Sequence, residues 1–427
     1  MYFLYNLIAS VFFILALPYF LFRSFFASGY GRELKEKFGF VSRVKRESLN
    51  KRPNIWLHAV SVGEILASLP LIKLIQQTFP RYQLVISTTT STGQAVARKK
   101  VSGAIFIYFP LDLFSPAARV LNMVKPAIFI VAESEVWPNF FRLAHRRNIP
   151  IILFNGRISL RSYGRYRWLG AFFRKVAAYI SLFGMQTELD ARRIISLGAD
   201  SSRVKVTGNT KFDALEKLGP GEIGKFKKEL GISVRDLIFV AGSTHPGEEE
   251  IILNCFLKLK REFVDLRLIL CPRHLERLAE VENQIRRRGI SFSRRTHLPH
   301  SESRKMPAVL LLDTMGELAG IYSLATVVFV GGSLIPKGGQ NILEPINFGK
   351  PVVFGPYISN FQEIAELLEN SGIGFRIQSE DELYQKMLSF LKDEKLREDI
   401  GDKAGFIVDG HRGASFKNFE LIKRRIN

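Results

Sequence analysis

Apolar residues in this chain come in short runs separated by longer stretches of helical periodicity. The runs 55–59, 84–87, 105–108, 128–131, 151–154 and 182–185 read as buried strands. A second series follows at 238–241, 266–270, 309–312, 327–330 and 352–354. Between them, segments such as 64–77, 248–260 and 275–288 repeat apolar residues at helical spacing. Strands that are apolar throughout, alternating with helices, predict parallel doubly wound sheets. Two such series predict an α/β protein with two Rossmann-like domains facing across a cleft. The Gly- and Lys-rich segment 207–234, which holds Gly219-Pro220-Gly221, marks the crossing between them. The tail from Asp393 is helical in pattern, and its end is expected to pack back on the first domain.

The first apolar run differs in kind. From Tyr2 to Phe22 there is no charged residue, enough for a helix to cross about 30 Å of hydrocarbon. A cleaved signal peptide fits less well, because no Lys or Arg precedes the run and no small-x-small site follows Pro18. Residues 23–52 then carry nine Lys or Arg against three Glu, which places the body in the cytoplasm by the positive-inside rule. The expected organisation is an N-terminal membrane anchor (1–27), a first domain (28–210), a second (211–400) and a C-terminal helix (401–427).

Composition narrows the function classes. With 427 residues, 47% hydrophobic and 24% charged, the chain is a globular protein of about two domains rather than a disordered one. Its formal charge of +21 asks for an anionic partner: nucleic acid, an anionic membrane or phosphorylated substrates. Two cysteines, Cys255 and Cys271, form neither a metal-ligand spacing nor a disulfide framework, which points to a reducing compartment. No His/Cys/Asp cluster suggests a structural metal.

In open parallel sheets, ligands bind beyond the carboxyl ends of strands, and the unusual patches here follow the expected strands. After the first comes His58-Ala59-Val60-Ser61-Val62-Gly63-Glu64. Glu64 opens a helix, where one carboxylate suits a general base on a hydroxyl; it equally suits complementing the helix dipole, worth under about 1 kcal/mol. After the fourth comes Glu133-Ser134-Glu135-Val136-Trp137-Pro138. Its paired carboxylates could orient a substrate, hold a lysine, or cap the next helix. From Val136 to Thr187 no Asp or Glu occurs among nine Arg and Lys. There Arg157, Arg161, Arg165, Arg167 and Arg174 interleave with Tyr163, Tyr166, Trp168, Phe172 and Phe173. That mixture suits an anionic lipid, single-stranded nucleic acid or a solvated basic face; the apolar N-terminus favours lipid.

The second half carries turns that suit a nucleotide. Ser243-Thr244-His245 joins a strand to the helix opened by Glu248-Glu249-Glu250, a place for phosphate, although a P-loop's Lys-Ser/Thr ending is missing. Pro272-Arg273-His274 puts a fixed cation after the next strand. Asp313-Thr314-Met315-Gly316-Glu317 can present backbone N–H groups to an anion. In the segment 331–345, four glycines allow close backbone approach, and Glu344 could accept bonds from ribose hydroxyls. Any one of these is an ordinary turn; four in one domain favour a nucleotide site.

Taken in order, these patches, the anchor and Gly208-Asn209-Thr210-Lys211-Phe212-Asp213 resemble the 3-deoxy-D-manno-octulosonic acid (Kdo) transferases of the lipid A pathway, which are GT-B glycosyltransferases. The resemblance runs nearly end to end. It implies CMP-Kdo as donor and the lipid A precursor (lipid IVA) as acceptor, at the cytoplasmic face of the bacterial inner membrane. It implies Glu64 as general base, with Glu133 and Lys211 assisting the transition state. Pro272, Arg273, Met315, Gly316, Glu317, Asn341, Ile342, Leu343 and Glu344 would bind CMP. Read from the residues themselves, Ser243, Thr244 and His245 are candidate contacts to the donor phosphate, and Arg157, Arg161, Arg165 and Arg167 to the acceptor or the membrane. Neither a metal nor a cofactor is expected, CMP-Kdo being a substrate, and no nucleic acid. One base and direct displacement imply inversion at the anomeric carbon. Two other readings stay open: a UDP-sugar-dependent lipid glycosyltransferase of the same fold, and a membrane-tethered protein that binds nucleic acid or anionic lipid.

Overall fold

The computed structural model describes residues 1–26, 30–133, 135–298 and 305–426. Ser134 of the paired-carboxylate patch and the expected boundary at 27/28 lie outside the described residues. The chain divides into two compact units, 1–214 with 411–427 and 215–410.

The first unit is built on β1 (Asn54–His58), β2 (Gln83–Thr88), β3 (Ile105–Tyr108), β4 (Pro126–Ala132), β5 (Ile151–Gly156), β6 (Leu182–Met185) and β7 (Val204–Val206). All pairings are parallel, in the order β3-β2-β1-β4-β5-β6-β7. The second contains β8 (Leu237–Thr244), β9 (Leu266–Pro272), β10 (Phe292–Arg294), β11 (Val309–Leu311), β12 (Val327–Val330), β13 (Val352–Phe354) and β14 (Gly374–Arg376). It too is parallel throughout, in the order β10-β11-β9-β8-β12-β13-β14. The order reverses between β1 and β4 in one sheet and between β8 and β12 in the other. At such a switch point the adjacent loops diverge and leave room for a ligand.

Sequence pattern misses β7, β10 and β14. Each is a three-residue edge strand carrying a cation, Lys205, Arg294 or Arg376. An edge strand pairs on one side only, so it needs no continuous apolar run. In β1, by contrast, all five residues are buried. Ile55 and Leu57 face a core that includes Phe419 and Ile422 of the C-terminal helix Ala414–Ile426. Trp56 faces the opposite core with Phe129 and Phe140. The C-terminal segment is tied down where it enters the first unit: Asp213 accepts the N–H groups of Gly413 (2.6 Å) and Ser415 (2.5 Å).

The apolar N-terminus forms one helix, α1 (Tyr2–Phe26). Its first turns are bound to the body. Tyr2 Oη donates to the carbonyl of Pro138 (3.2 Å), Tyr5 Oη to Asp112 (2.7 Å), and Asn139 Nδ2 to Asn6 Oδ1 (2.8 Å). Tyr2 and Tyr5 also pack on Phe172, with ring centroids 5.3 and 5.5 Å away. Among the described residues no helix is long and apolar enough to cross a membrane, so the expected N-terminal membrane-anchor helix is not seen among them. The start of α1 spends its polar groups on the body. Phe3, Leu4, Leu7, Ile8, Phe12 and Leu15 remain exposed.

Candidate active site

At the switch point of the first unit, β1 leads through Ala59 and Val60 into the helix Val62–Thr78. Ser61 caps this helix, its Oγ accepting the N–H of Glu64 at 3.4 Å. Glu64 replies with both oxygens: Oε1 accepts from Ser61 Oγ (3.0 Å) and Oε2 from the N–H of Val60 (2.8 Å). This is a capping box whose carboxylate reaches one residue further back than usual. The side chain is left 9% exposed. Burial, then the charges of Glu133 and Glu135, push the Glu64 carboxyl up to about 8, against the opposing pull of the Val60 and Ser61 hydrogen bonds. A buried carboxyl held near neutrality suits proton abstraction.

Glu133 follows β4 with φ +55°, a left-handed conformation rare for a side chain of this size. Its Oε1 lies 3.4 Å from Lys211 Nζ. Asn155, at the end of β5 with φ +54°, positions that lysine indirectly. Its Oδ1 accepts the N–H of Thr210 (3.0 Å) and its carbonyl accepts from Gln186 Nε2 (2.9 Å). The loops after β5, β6 and β7 are thereby joined at the residue before Lys211. Burial and Glu133 raise the Glu135 carboxyl, while Arg165 lowers it. The capping alternative for this pair is not realised, since the helix Pro138–His145 has Trp137 at its N-cap and no side-chain cap bond.

His58 is a core residue. Its ring stacks on Phe109 at 3.9 Å, Nδ1 lies 2.9 Å from Ser87 Oγ, and burial holds its pKa down at about 3. In the helix Leu160–Ala177, Arg161, Arg165 and Arg167 are exposed and Arg157, just before it, is half-buried. The aromatics do not all share that face. Tyr166 and Phe173 are buried and stacked at 4.4 Å, Phe172 packs on α1, and Trp168 is 85% exposed.

In the second unit one carboxylate organises the switch point. Glu248, fully buried, accepts the N–H groups of His245 (2.9 Å), Gly332 (2.7 Å), Ser333 (3.0 Å) and Leu334 (2.9 Å). The loops after β8 and β12 are thus locked together. Its neighbour Glu249 accepts from Thr244 Oγ1 (3.0 Å) and from the Arg277 fork (2.8 and 3.3 Å). Thr244 therefore turns inward, while Ser243 takes φ +55° beside a β-bulge.

Arg273 sits exposed beyond β9, its N–H donating to the Thr244 carbonyl at 2.9 Å. Burial, then His274, Lys337, Arg273 and Arg277, hold the His245 imidazole below its ordinary pKa. The cations around this ring mark a place that favours an anion. Glu344 accepts from Asn341 Nδ2 (3.0 Å); burial raises its carboxyl and Arg273 pulls it back. The structure thus gathers Arg273, His245, Asn341 and Glu344. Ile342 and Leu343 bury their side chains completely, so what they offer a ligand is main chain. Pro272 is buried at the end of β9, and Met315 is exposed beside Gly316 at φ +92°. Glu317 pairs with Arg295 at 3.2 Å and accepts from the Thr314 hydroxyl. Glu248, Glu249, Arg277 and Asn155 escape the sequence reading as positioning groups. The run of three acidic residues at a helix start was the signal for the first two.

Residues 32–214 match the family model described as 3-deoxy-D-manno-octulosonic-acid transferase (kdotransferase). A 3-deoxy-D-manno-octulosonic acid transferase of Haemophilus influenzae is 34% identical over 399 residues, covering 92% of this chain and 91% of its own. A bifunctional glycosyltransferase/methyltransferase of Fusobacterium nucleatum is 39% identical over 345 residues, 80% of this chain. This chain spans 53% of that relative's length. Among solved structures, UDP-GlcNAc 2-epimerase from Neisseria meningitidis aligns with a TM-score of 0.60 at 14% identity, over 87% of this chain and 99% of its own. That likeness bears on the fold alone: two parallel α/β sheets of GT-B type.

Proposed function

This chain belongs to the 3-deoxy-D-manno-octulosonic acid (Kdo) transferase family, and from that premise we propose that it moves Kdo from CMP-Kdo to a hydroxyl of the lipid A precursor, lipid IVA, with inversion. The observation that carries this reading is Glu64, a buried carboxylate with its pKa raised to about 8, fixed at a helix start by Val60 and Ser61. Glu64 takes the proton of the acceptor hydroxyl. The hydroxyl oxygen bonds to the anomeric carbon as the bond to the CMP phosphate breaks. A single displacement with one base inverts that carbon, because no enzyme carboxylate forms a covalent intermediate. Charge growing on the leaving phosphate needs fixed donors; we assign Arg273 and the backbone N–H groups after β8 and β11. Glu344 and Asn341 are assigned to the ribose. Lys211 keeps Glu133 paired and supplies a cation to the transition state. In this reading the protein's own cations meet the charge, without a metal ion or cofactor.

We place the chain at the cytoplasmic face of the bacterial inner membrane. The exposed apolar side chains of α1 and the neighbouring basic helix with Trp168 support an interfacial rather than a spanning attachment. The test is direct. The purified chain, given CMP-Kdo and lipid IVA, is expected to release CMP and yield lipid IVA heavier by Kdo in mass spectrometry. No CMP release above background from folded protein would overturn the reaction. Thermal stabilisation by UDP and UDP-sugars alone would overturn the donor.

A further inference from the structure

Within the first unit, a cavity of about 1100 Å³ opens between the basic segment after α1 and the helices Ser91–Lys100 and Phe114–Val124. None of the site residues described above lines it. Its two carboxylates are already engaged: Glu33 by Lys37 (2.7 Å), and Glu36 by Lys45 (2.5 Å) and the N–H of Tyr108 (3.2 Å). Arg32, Lys35, Arg46, Arg98 and Arg119 also line it, and among the described residues none of these five pairs with a carboxylate. Their positive charge is therefore uncompensated within the cavity.

Gln94 makes this more than a basic patch. It is 5% exposed, its Oε1 accepts from Arg98 (3.3 Å), and its Nε2 has no partner. A buried amide donor left unmet is costly, and an incoming acceptor atom would recover that cost. Arg119 is held in place, donating to the Phe38 carbonyl (2.9 Å) with its guanidinium 4.4 Å above the Phe40 ring. Arg98 lies 5.2 Å over Phe106. Phe40, Val41 and Met123 add an apolar wall. A partly apolar molecule with an anionic head fits this lining; a bare anion leaves the wall unused.

The cavity shares a loop with Glu64. Thr90, which caps the helix carrying Gln94, accepts the N–H of Gly93 (3.1 Å) and donates to the carbonyl of Val60 (3.3 Å). The N–H of the same Val60 holds Glu64. The geometry points to a subsite for a phosphate-bearing amphiphile, with Gln94 Nε2, Arg98 and Arg119 on the phosphate and Phe40 and Met123 against its apolar part. Its role in turnover, as the grip on the acceptor, rests on the proposed function; the binding itself does not.

The test titrates the full chain with hexyl phosphate, inorganic phosphate and hexanol, read by calorimetry. Hexyl phosphate is expected to bind about tenfold or more tighter than phosphate, with hexanol showing no saturable binding. The variant Gln94→Glu keeps an acceptor for Arg98 but turns the free donor into a carboxylate. It should weaken hexyl phosphate about tenfold or more, and Gln94→Ala should weaken it less. Equal affinity for hexyl and inorganic phosphate, or unchanged binding in Gln94→Glu, would overturn the subsite. In the transfer assay Gln94→Glu should raise the acceptor KM and leave the donor KM alone. Gln94-dependent binding by wild-type protein that transfers nothing would instead sink the transferase reading and leave the subsite standing.

Discussion

Lys211 Nζ lies 3.4 Å from Glu133 Oε1, joining the loops that follow β7 and β4 beside Glu64. In Lys211→Met the stem stays and the cation goes, so Glu133 loses its partner. Turnover should fall by about 10²-fold, as for loss of one fixed donor to a developing charge. Steady-state kinetics with CMP-Kdo and lipid IVA measure it. A change confined to KM would place Lys211 in binding alone.

Glu64→Gln keeps the shape and the bond to Ser61 but cannot take a proton. Turnover is expected to drop by about 10²-fold or more while CMP binding, read by thermal shift, stays within experimental scatter. Near-normal turnover would remove Glu64 as the base.

The raised pKa of Glu64 sets a pH profile. The base works ionised, so acceptor kcat/KM should climb as pH rises through about 8 and level above it. Glu133 is the second cause of that rise, after burial. Glu133→Gln should therefore move the acid limb to lower pH. Stability runs the opposite way. A carboxyl whose pKa is raised on folding binds its proton more tightly in the native state. Its contribution is complete below the ordinary carboxylate range and is lost as pH rises through about 8. Urea melts should show Glu64→Gln gaining on the wild type between pH 4 and pH 9.

Glu248→Ala should be costly for a reason unconnected with chemistry. Four N–H groups, of His245, Gly332, Ser333 and Leu334, lose their acceptor at once. An expected loss of about 3 kcal/mol or more in urea unfolding follows from leaving buried donors unmet. Any variant that still folds should lose its stabilisation by CMP, because the two loops are no longer held together.

Gly242→Ala tests the packing under the same loops. A Cβ there would lie 1.9 Å from the hydroxyl oxygen and 2.7 Å from Cζ of buried Tyr322. Overpacking of this kind costs about 1–3 kcal/mol. The further substitution Tyr322→Phe should recover part of the lost unfolding free energy by removing the nearer atom.

What the sequence determined by itself is the alternation. Eleven apolar runs, from 55–59 to 352–354, all lie within observed strands or one residue beyond their ends, because an interior parallel strand must be apolar on both faces. Through the family resemblance, the order of motifs singled out Glu64, Glu133, Lys211 and Arg273 as candidates, because residue types are visible one by one. The edge strands β7, β10 and β14 were hidden because pairing with a neighbour, rather than their own composition, makes them strands. Glu248 read as the first residue of a helix; that it gathers four N–H groups depends on a loop 84 residues further along. Tyr2, Tyr5 and Asn6 read as part of an anchor until partners at Pro138, Asp112 and Asn139 drew them onto the body. Proximity decides the pKa of Glu64 in the same way. Burial and a neighbouring carboxylate 69 positions away in sequence act through space, and only the folded chain brings them together.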